Sequence, residues 1–297
     1  MTASANVQPS GLEQERSVGL IRDAMQRMLR NRSAIVGLVL IAIFLGMAIL
    51  APFIAPYDPT KGDLLQSFKP PSLQHLFGTD LQGRDQFSRI VFGARISLSI
   101  AVLSVSIGVS IGLLIGALAG YFRGWVDATL MRVVDILLSI PGLLFAIAVV
   151  AWLGRGIPQI AVAIAVVNVP IFARILRGSL LALREADYVI AARSVGVRGP
   201  SLLIRHMLPN ALGPLIVQAT LSLATAIIDA AALGFLGLGP PDPSTPEWGT
   251  MLADTYPYLR DAAYLAFFPG MAIVLSVLGF NLLGDGLREA LDPRLRR

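Results

Sequence analysis

The chain is 297 residues long, 55% hydrophobic and only 14% charged, with 28 Gly and 19 Pro. A soluble domain carries about 25% charge, so this composition excludes an ordinary water-soluble enzyme and favours a polytopic helical membrane protein, in which Gly and Pro are frequent. No cysteine and only two histidines, His75 and His206, leave no disulfide framework, no Cys nucleophile and no His-rich metal centre. The net charge is +5, and every cation except Lys61 and Lys69 is an arginine. These cations lie between apolar runs without interleaved aromatics, a pattern that fits topology signals and headgroup contacts rather than nucleic acid.

In chain order, residues 1–17 are polar and read as disordered. Residues 18–32 predict an amphipathic helix, with Ile21, Met25, Met28 and Leu29 on one stripe and Arg22, Arg27 and Arg30 off it, which reads as an element lying on the membrane surface or as a solvated helical tail. Charge-free windows follow at 33–57, 96–122, 136–154, 156–173, 206–228 and 262–284. A span needs about 20 apolar residues, so six spans are expected. The fourth window, bracketed by Pro158 and Pro170, is the weakest, and the fifth continues past Asp229 toward Leu238. The first window is too long and too far along the chain for a cleaved signal peptide.

The predicted organisation is a tail and surface helix at 1–32, a first span at 33–56 and an outer loop at 57–95. A core of five spans covers 96–285 and includes a loop at 176–208; a tail covers 286–297. Arginines concentrate in the N-terminal tail, around 123–132, through 174–205 and at the C-terminus. Lys and Arg are retained on the cytoplasmic side, so both termini are expected there.

Within the outer loop, the stretch Phe77-Gly78-Thr79-Asp80-Leu81-Gln82-Gly83-Arg84-Asp85 is rich in turn formers. Its Gly-x-x-x-x-Gly-Arg is not a phosphate loop, because the Lys-Ser/Thr ending and a preceding strand are missing. On the arginine-rich side, 174–205 predicts two helical pieces, 179–192 and 201–207, broken at Gly196 and Gly199-Pro200. Such a hairpin suits docking to a soluble partner, or serves as a capped connector.

An ionisable group inside a span is a functional candidate. Asp229, late in the fifth span after Thr220, Ser222 and Thr225, reads either as a pathway or gate residue or as a helix fastener. Asp135 lies within reach of Arg132 at i, i+3, and Asn281 and Asp285 read as packing or interface groups near the end of the last span. Gly108, Gly112, Gly116 and Gly120 recur every fourth position and predict close helix packing. The outer segment 240–246, with Asp242 and Glu247, is acidic. Neither a Walker motif nor a Ser/His/Asp arrangement is present.

The run Asp187-Tyr188-Val189-Ile190-Ala191-Ala192-Arg193-Ser194-Val195-Gly196, followed after nine residues by His206-Met207-Leu208-Pro209-Asn210, resembles the cytoplasmic coupling loop of bacterial ABC importer permeases. The family pattern has Glu-Ala-Ala, three residues, Gly, nine more and Ile-x-Leu-Pro. It is matched at Ala191, Ala192, Gly196, Leu208 and Pro209; Ile190 replaces the Glu and His206 the Ile. Those departures are similar to the peptide and nickel branch. Segments 77–88 with Gly93 to Leu98, Gly124-Trp125-Val126-Asp127, 232–239 with Trp248-Gly249, and 280–288 with Leu291-Asp292-Pro293-Arg294 resemble its C-type permease.

The resemblance implies an all-α integral membrane protein, a type I ABC importer permease with six transmembrane helices in a bacterial inner membrane. It implies a second permease as heterodimer partner, two ATPase subunits that bind ATP and Mg, and an extracytoplasmic substrate-binding protein. No cofactor, metal or catalytic residue is then expected in this chain. The implied ATPase-coupling residues are Glu185, Ala186, Ala191, Ala192, Arg193, Gly196, Leu208 and Pro209. Asp80, Gly83, Arg84, Asp85, Asp135, Asn281 and Asp285 are the expected structural motif positions, and segment 240–246 with Glu247 is expected to meet the binding protein or the second permease. Short peptides are the favoured cargo, with nickel chelates or another small ligand as the alternative. A stand-alone secondary transporter would carry internal repeats and midplane carboxylates; no repeat is visible and Asp229 is the one candidate.

Overall fold

The computed structural model describes residues 28–291. Among them the chain is helical without strands, apart from an isolated bridge between Thr79 and Asp85. In order, the helices are α1 (Arg32–Ile54), α2 (Gln86–Phe122), α3 (Gly124–Ser139), α4 (Gly142–Leu153) and α5 (Ile157–Arg184). They continue with α6 (Asp187–Ser194), α7 (Gly199–Leu238), α8 (Trp248–Thr255) and α9 (Tyr264–Leu291). Five of these, α1, α2, α5, α7 and α9, are each long and apolar enough to cross a membrane, and α3 with α4 makes a sixth if the bent pair is one span.

The helix ends follow local chemistry. Asn31 caps α1 by accepting hydrogen bonds from the Ser33 and Ala34 amides at 2.9 and 3.2 Å. Asp85 does the same for α2, accepting from the Ser88 amide at 2.8 Å, which satisfies donors that the first turn leaves without intrahelical partners. Between α3 and α4, Pro141 holds the preceding Ile140 extended at φ −88°, ψ 130°, and the two helices meet at 95°.

Several boundaries differ from the sequence expectation, and paired charges are the common reason. α2 starts at Gln86, inside the expected outer loop 57–95, because Arg89 is buried and hydrogen-bonded instead of marking an aqueous end. α5 runs to Arg184, well past 173, because Arg174 and Arg177 bond carboxylates on α3. The 136–154 window is not one helix but the end of α3 plus α4, whereas the suspect 156–173 window lies in an unbroken helix that accommodates Pro170. The expected piece 179–192 is split at Glu185-Ala186, and the expected 201–207 is π-helical over Leu202–Met207 and leads straight into the rest of α7. α9 continues to Leu291, so all of the described part of the 286–297 tail is helix. Of the surface helix at 18–32, residues 18–27 lie outside the described residues, as do 292–297.

The core is built on α2 against α5, the most buried of the long helices. The four α2 glycines face α5: a methyl group on Gly108 would sit 2.9 Å from the Asn168 Cβ, and one on Gly120 would sit 3.0 Å from the Leu180 Cβ. Backbones this close gain dispersion contacts that do not depend on expelling water, the interaction available between helices in lipid. α1 packs on α9 where Gly37 faces Gly279 and Leu283, and turns Ile35, Val39, Ile43, Ile49 and Phe53 outward. α7 is held between α5, α2 and α9.

Candidate functional site

Three regions of the fold carry chemistry: the arginine-rich end, one face of α7, and a polar cap at the opposite end. At the arginine-rich end α6 is an eight-residue helix anchored by one fully buried side chain, Val189. Tyr188, Ile190 and Val195 are exposed there, as are Glu185, Ala191, Arg193 and Gly196, while Ala186 and Ala192 are half-buried. Gly196 ends the helix at φ +83°. Its amide donates to the Arg193 carbonyl at 3.0 Å and the Val197 amide to the Ala192 carbonyl at 3.1 Å, the Schellman arrangement in which a left-handed residue satisfies the last carbonyls.

α7 then begins at Gly199-Pro200, with Leu202–Met207 in a π-helical turn. Pro209 has no amide proton with which to close the next α-helical bond, a recognised cause of such a distortion. Leu208 is half-buried and Pro209 exposed. The loop is tied to its neighbours by Tyr188, whose hydroxyl donates to the His206 carbonyl at 3.4 Å, and by Arg184, which donates to the Gly120 and Tyr121 carbonyls at the end of α2.

Beside it, Arg177 on α5 grips Asp127 on α3 with two bonds of 2.5 and 2.7 Å, a bidentate geometry that fixes orientation as well as distance. One helical turn away, Arg174 pairs with Asp135. The expected Arg132–Asp135 pair does not form: along α3 the two residues are neighbours, but Arg174 reaches the same carboxylate from the facing helix.

The opposite end is closed by the 55–85 loop and α8. The buried Asp80 carboxylate accepts from the Gln82 and Arg84 amides, each at 2.9 Å, and from the Arg84 Nε at 2.6 Å. Arg84 also donates to the Pro243 carbonyl at 3.0 Å, and Arg89 to those of Pro59 and Ser244 at 3.0 and 3.1 Å. Asp85 contacts the His75 Nδ1 at 2.9 Å, and the His75 Nε2 lies 3.0 Å from the Gln66 Oε1. Gly83 makes the turn between these groups at φ +72°. The four motif positions Asp80, Gly83, Arg84 and Asp85 therefore lie in one network, beside a cavity of about 310 Å³ lined also by Arg89, Asp254 and Tyr258. Burial pushes the Asp254 carboxyl above its ordinary value, with Arg89 and Arg84 pulling the other way.

Glu247 is fully buried, so the expectation that it meets a partner at the surface fails. It caps α8, accepting from the Gly249 and Thr250 amides at 2.9 and 2.8 Å. Burial raises its carboxyl above the usual range, although these bonds and Ser97 pull downward. The next residue, Trp248, is fully buried against Phe44 and donates its indole N–H to the Ile90 carbonyl at 3.1 Å. Asn281 and Asp285 do not pack within the chain: both are exposed, four residues apart on one face of α9. Asp229 is half-exposed on α7, and no group in the described chain bonds or pairs with its carboxylate.

Comparison with known proteins places this architecture. The profile of the family described as "Binding-protein-dependent transport system inner membrane component" matches residues 112–297. The chain belongs to that permease family. A second profile, the N-terminal TM domain of oligopeptide transport permease C, matches residues 19–71. The dipeptide transport system permease protein DppC of Alkalihalophilus pseudofirmus is 44% identical over 296 residues, covering 100% of this chain and 97% of the relative. The glutathione transport system permease protein GsiD of Escherichia coli O6:K15:H31 is 46% identical over 272 residues, 91% of this chain and 89% of the relative.

In fold, the permease is similar to a solved inward-facing structure of the MetNI methionine ABC transporter, with TM-score 0.58 and 23% identity over 69% of this chain and 97% of that one. The permease is thus a multi-pass membrane subunit of an ABC importer, helical among the described residues, with a fold like that of MetNI. Sequence reasoning missed Asp127, Arg174 and Arg177 as a fastening set. Their one signal is that Arg174 and Arg177 are three apart and so share a helix face; the carboxylates they meet lie about forty to fifty residues upstream.

Proposed function

We propose that the permease pairs with a second, related permease to form the pathway by which short peptides, delivered by an extracytoplasmic binding protein, enter a bacterial cell. Two cytoplasmic ATPase subunits bind ATP and Mg and hydrolyse the nucleotide; this chain is their non-catalytic partner and holds no cofactor or metal. Both termini face the cytoplasm, in keeping with the arginine-rich end. The cargo reading is supported by the relatives, which are named for dipeptides and for glutathione.

The observation that carries the coupling reading is α6, a short exposed helix held by Val189, with Glu185 and Arg193 accessible beside it. Ala191 and Ala192 allow close approach of a docked surface, and Gly196, Leu208 and Pro209 shape the turn back into α7. An ATPase seated on α6 moves it as a rigid body, and long helices then rock to open the cavity to alternate sides.

The experiment has two parts. The tagged permease, purified from native membranes in mild detergent, is expected to bring down a second permease and ATPase subunits in stoichiometric amounts. Gly196→Trp supplies the functional arm. Nothing lies within 4 Å of a Cβ placed there and the position is exposed, so the substitution costs about 1–2 kcal/mol of left-handed backbone strain and is expected to leave insertion intact. Peptide uptake is expected to fall below a tenth of wild type, and normal uptake refutes the coupling assignment.

A further inference from the structure

The side of α7 left open by the rest of the chain runs along its length. Pro214, Thr225, Ile228 and Phe235 are exposed on it and Gln218 and Asp229 half-exposed. Gln218, Ser222, Thr225 and Asp229 follow at intervals of four, three and four, a row in which Ser222 is buried within the chain and the other three are open. Within the row the Gln218 amide donates to the Ser222 hydroxyl at 3.3 Å and the Thr225 hydroxyl to the Ser222 carbonyl at 3.1 Å. The row ends at Asp229, whose carboxylate has no hydrogen-bond or ion-pair partner among the described residues.

A carboxylate turned to lipid at the centre of a span costs roughly 2.5–3.5 kcal/mol even on translocon-derived scales, and the Gln218 amide and Thr225 hydroxyl open on the same side add to that. This row therefore faces water or protein, unlike the apolar row that α1 presents outward. Asp229 lies nine residues before Leu238, about 13 Å along the helix at 1.5 Å per residue, in the half of the span nearer the polar cap. The Arg155 guanidinium, which reaches this helix from outside it, is engaged with the Gly237 carbonyl, eight residues after Asp229.

We infer that Asp229, with Thr225 and Gln218, forms a subsite of the translocation pathway that receives the ammonium group of the peptide in transit. Charge complementarity carries the assignment: the row offers one anion and two neutral polar groups, and a peptide with a free amino terminus offers one cation. The inference rests on the peptide cargo proposed above. Affinity for the peptide before translocation belongs to the binding protein, so a pathway residue acts on the rate of passage and not on the half-saturating concentration.

The test uses the full complex, with its ATPases and binding protein, in proteoliposomes supplied with ATP and a radiolabelled dipeptide. Asp229→Asn is expected to lower the maximal uptake rate about tenfold while leaving the half-saturating dipeptide concentration, basal ATPase activity and recovery of the second permease unchanged. Asp229→Glu, which keeps the charge, is expected to retain most of the rate. Wild-type rates in Asp229→Asn overturn the subsite. So does loss of the second permease from Asp229→Asn preparations, which makes the carboxylate a fastening to that chain. A wild-type complex that hydrolyses ATP but carries no dipeptide overturns the peptide reading itself and takes the ammonium subsite with it.

Discussion

A single methyl group added to Gly112 tests how tightly the central helix pair is built. A Cβ at this position would lie 2.6 Å from the Phe172 Cβ, 2.8 Å from the Val169 carbonyl oxygen and 3.1 Å from the Ala173 amide nitrogen. Two of the three obstacles are backbone atoms of α5, so no rotamer change relieves them. To reach an ordinary contact the helices must part locally by about 0.8 Å, against neighbouring close approaches at Gly108 and Gly116. Overpacking of this kind costs about 1–3 kcal/mol, while Gly→Ala inside a helix returns about 1 kcal/mol. Gly46→Ala supplies the control, because it lies inside α1 with nothing within 4 Å of the new methyl. Both variants gain the same propensity, so their difference isolates the overpacking, about 1–3 kcal/mol in favour of Gly46→Ala. At about 2–4 °C per kcal/mol for a chain of this size, the thermal midpoints of the two purified variants in one detergent should differ by several degrees. Equal midpoints would show that α2 and α5 are not in close contact and would refute the packing argument.

Glu247 and the α3 fastening give two further expectations. Because burial raises the Glu247 carboxyl in the folded protein, the folded state holds the proton more tightly than the unfolded chain. Its contribution to stability therefore falls as pH rises from the ordinary carboxylate range through the folded value. Glu247→Gln, which does not titrate and keeps an acceptor for only one of the Gly249 and Thr250 amides, should gain midpoint relative to wild type as pH rises, and parallel pH profiles of the two proteins would sink this assignment. Asp127→Asn, which weakens the two-bond grip of Arg177, should cost about 1–2 kcal/mol at this partly exposed pair and speed hydrogen exchange across 124–139. The exchange of charges in Asp127→Arg with Arg177→Asp should recover part of the loss; no recovery would mean that the pair does not hold α3.

The way the sequence signals succeed and fail has one physical root. Backbone groups in lipid must be satisfied within the segment, so long apolar runs had to be helices, and the α2 glycines could be assigned to packing from spacing alone. Helix ends were less legible, because a charge was read as the edge of the membrane. Arg89, Arg174 and Arg177 each break that rule by meeting carbonyls or carboxylates on other segments, partners that sequence separation hides. Glu247 was misread for the same reason: an acidic residue in a proline-rich loop looks solvated until the amides it caps are seen. Pro141 was legible as a breaker only in hindsight of its angle, since Pro158, Pro170 and Pro209 all sit within helices.

α7 connects the three regions. Its 40 residues amount to about 60 Å of helix, roughly twice the hydrocarbon thickness of a bilayer, so the element reaches beyond the apolar layer at one or both ends. The two ends are held differently. Near Gly234 it is pressed against Gly249 and Thr250, within 3.2 Å of a Cβ placed there, and α8 is anchored by the buried Trp248. At Gly199 it is joined to α6 through a short turn and begins with a π-helical segment. On the coupling proposed above, a displacement applied at α6 would meet the π-helical turn at Leu202–Met207 first and the packed end at the polar cap last. Asp229 lies between the two, closer to the polar cap, where on that proposal a change in tilt of α7 would re-aim its polar groups while moving the cap least.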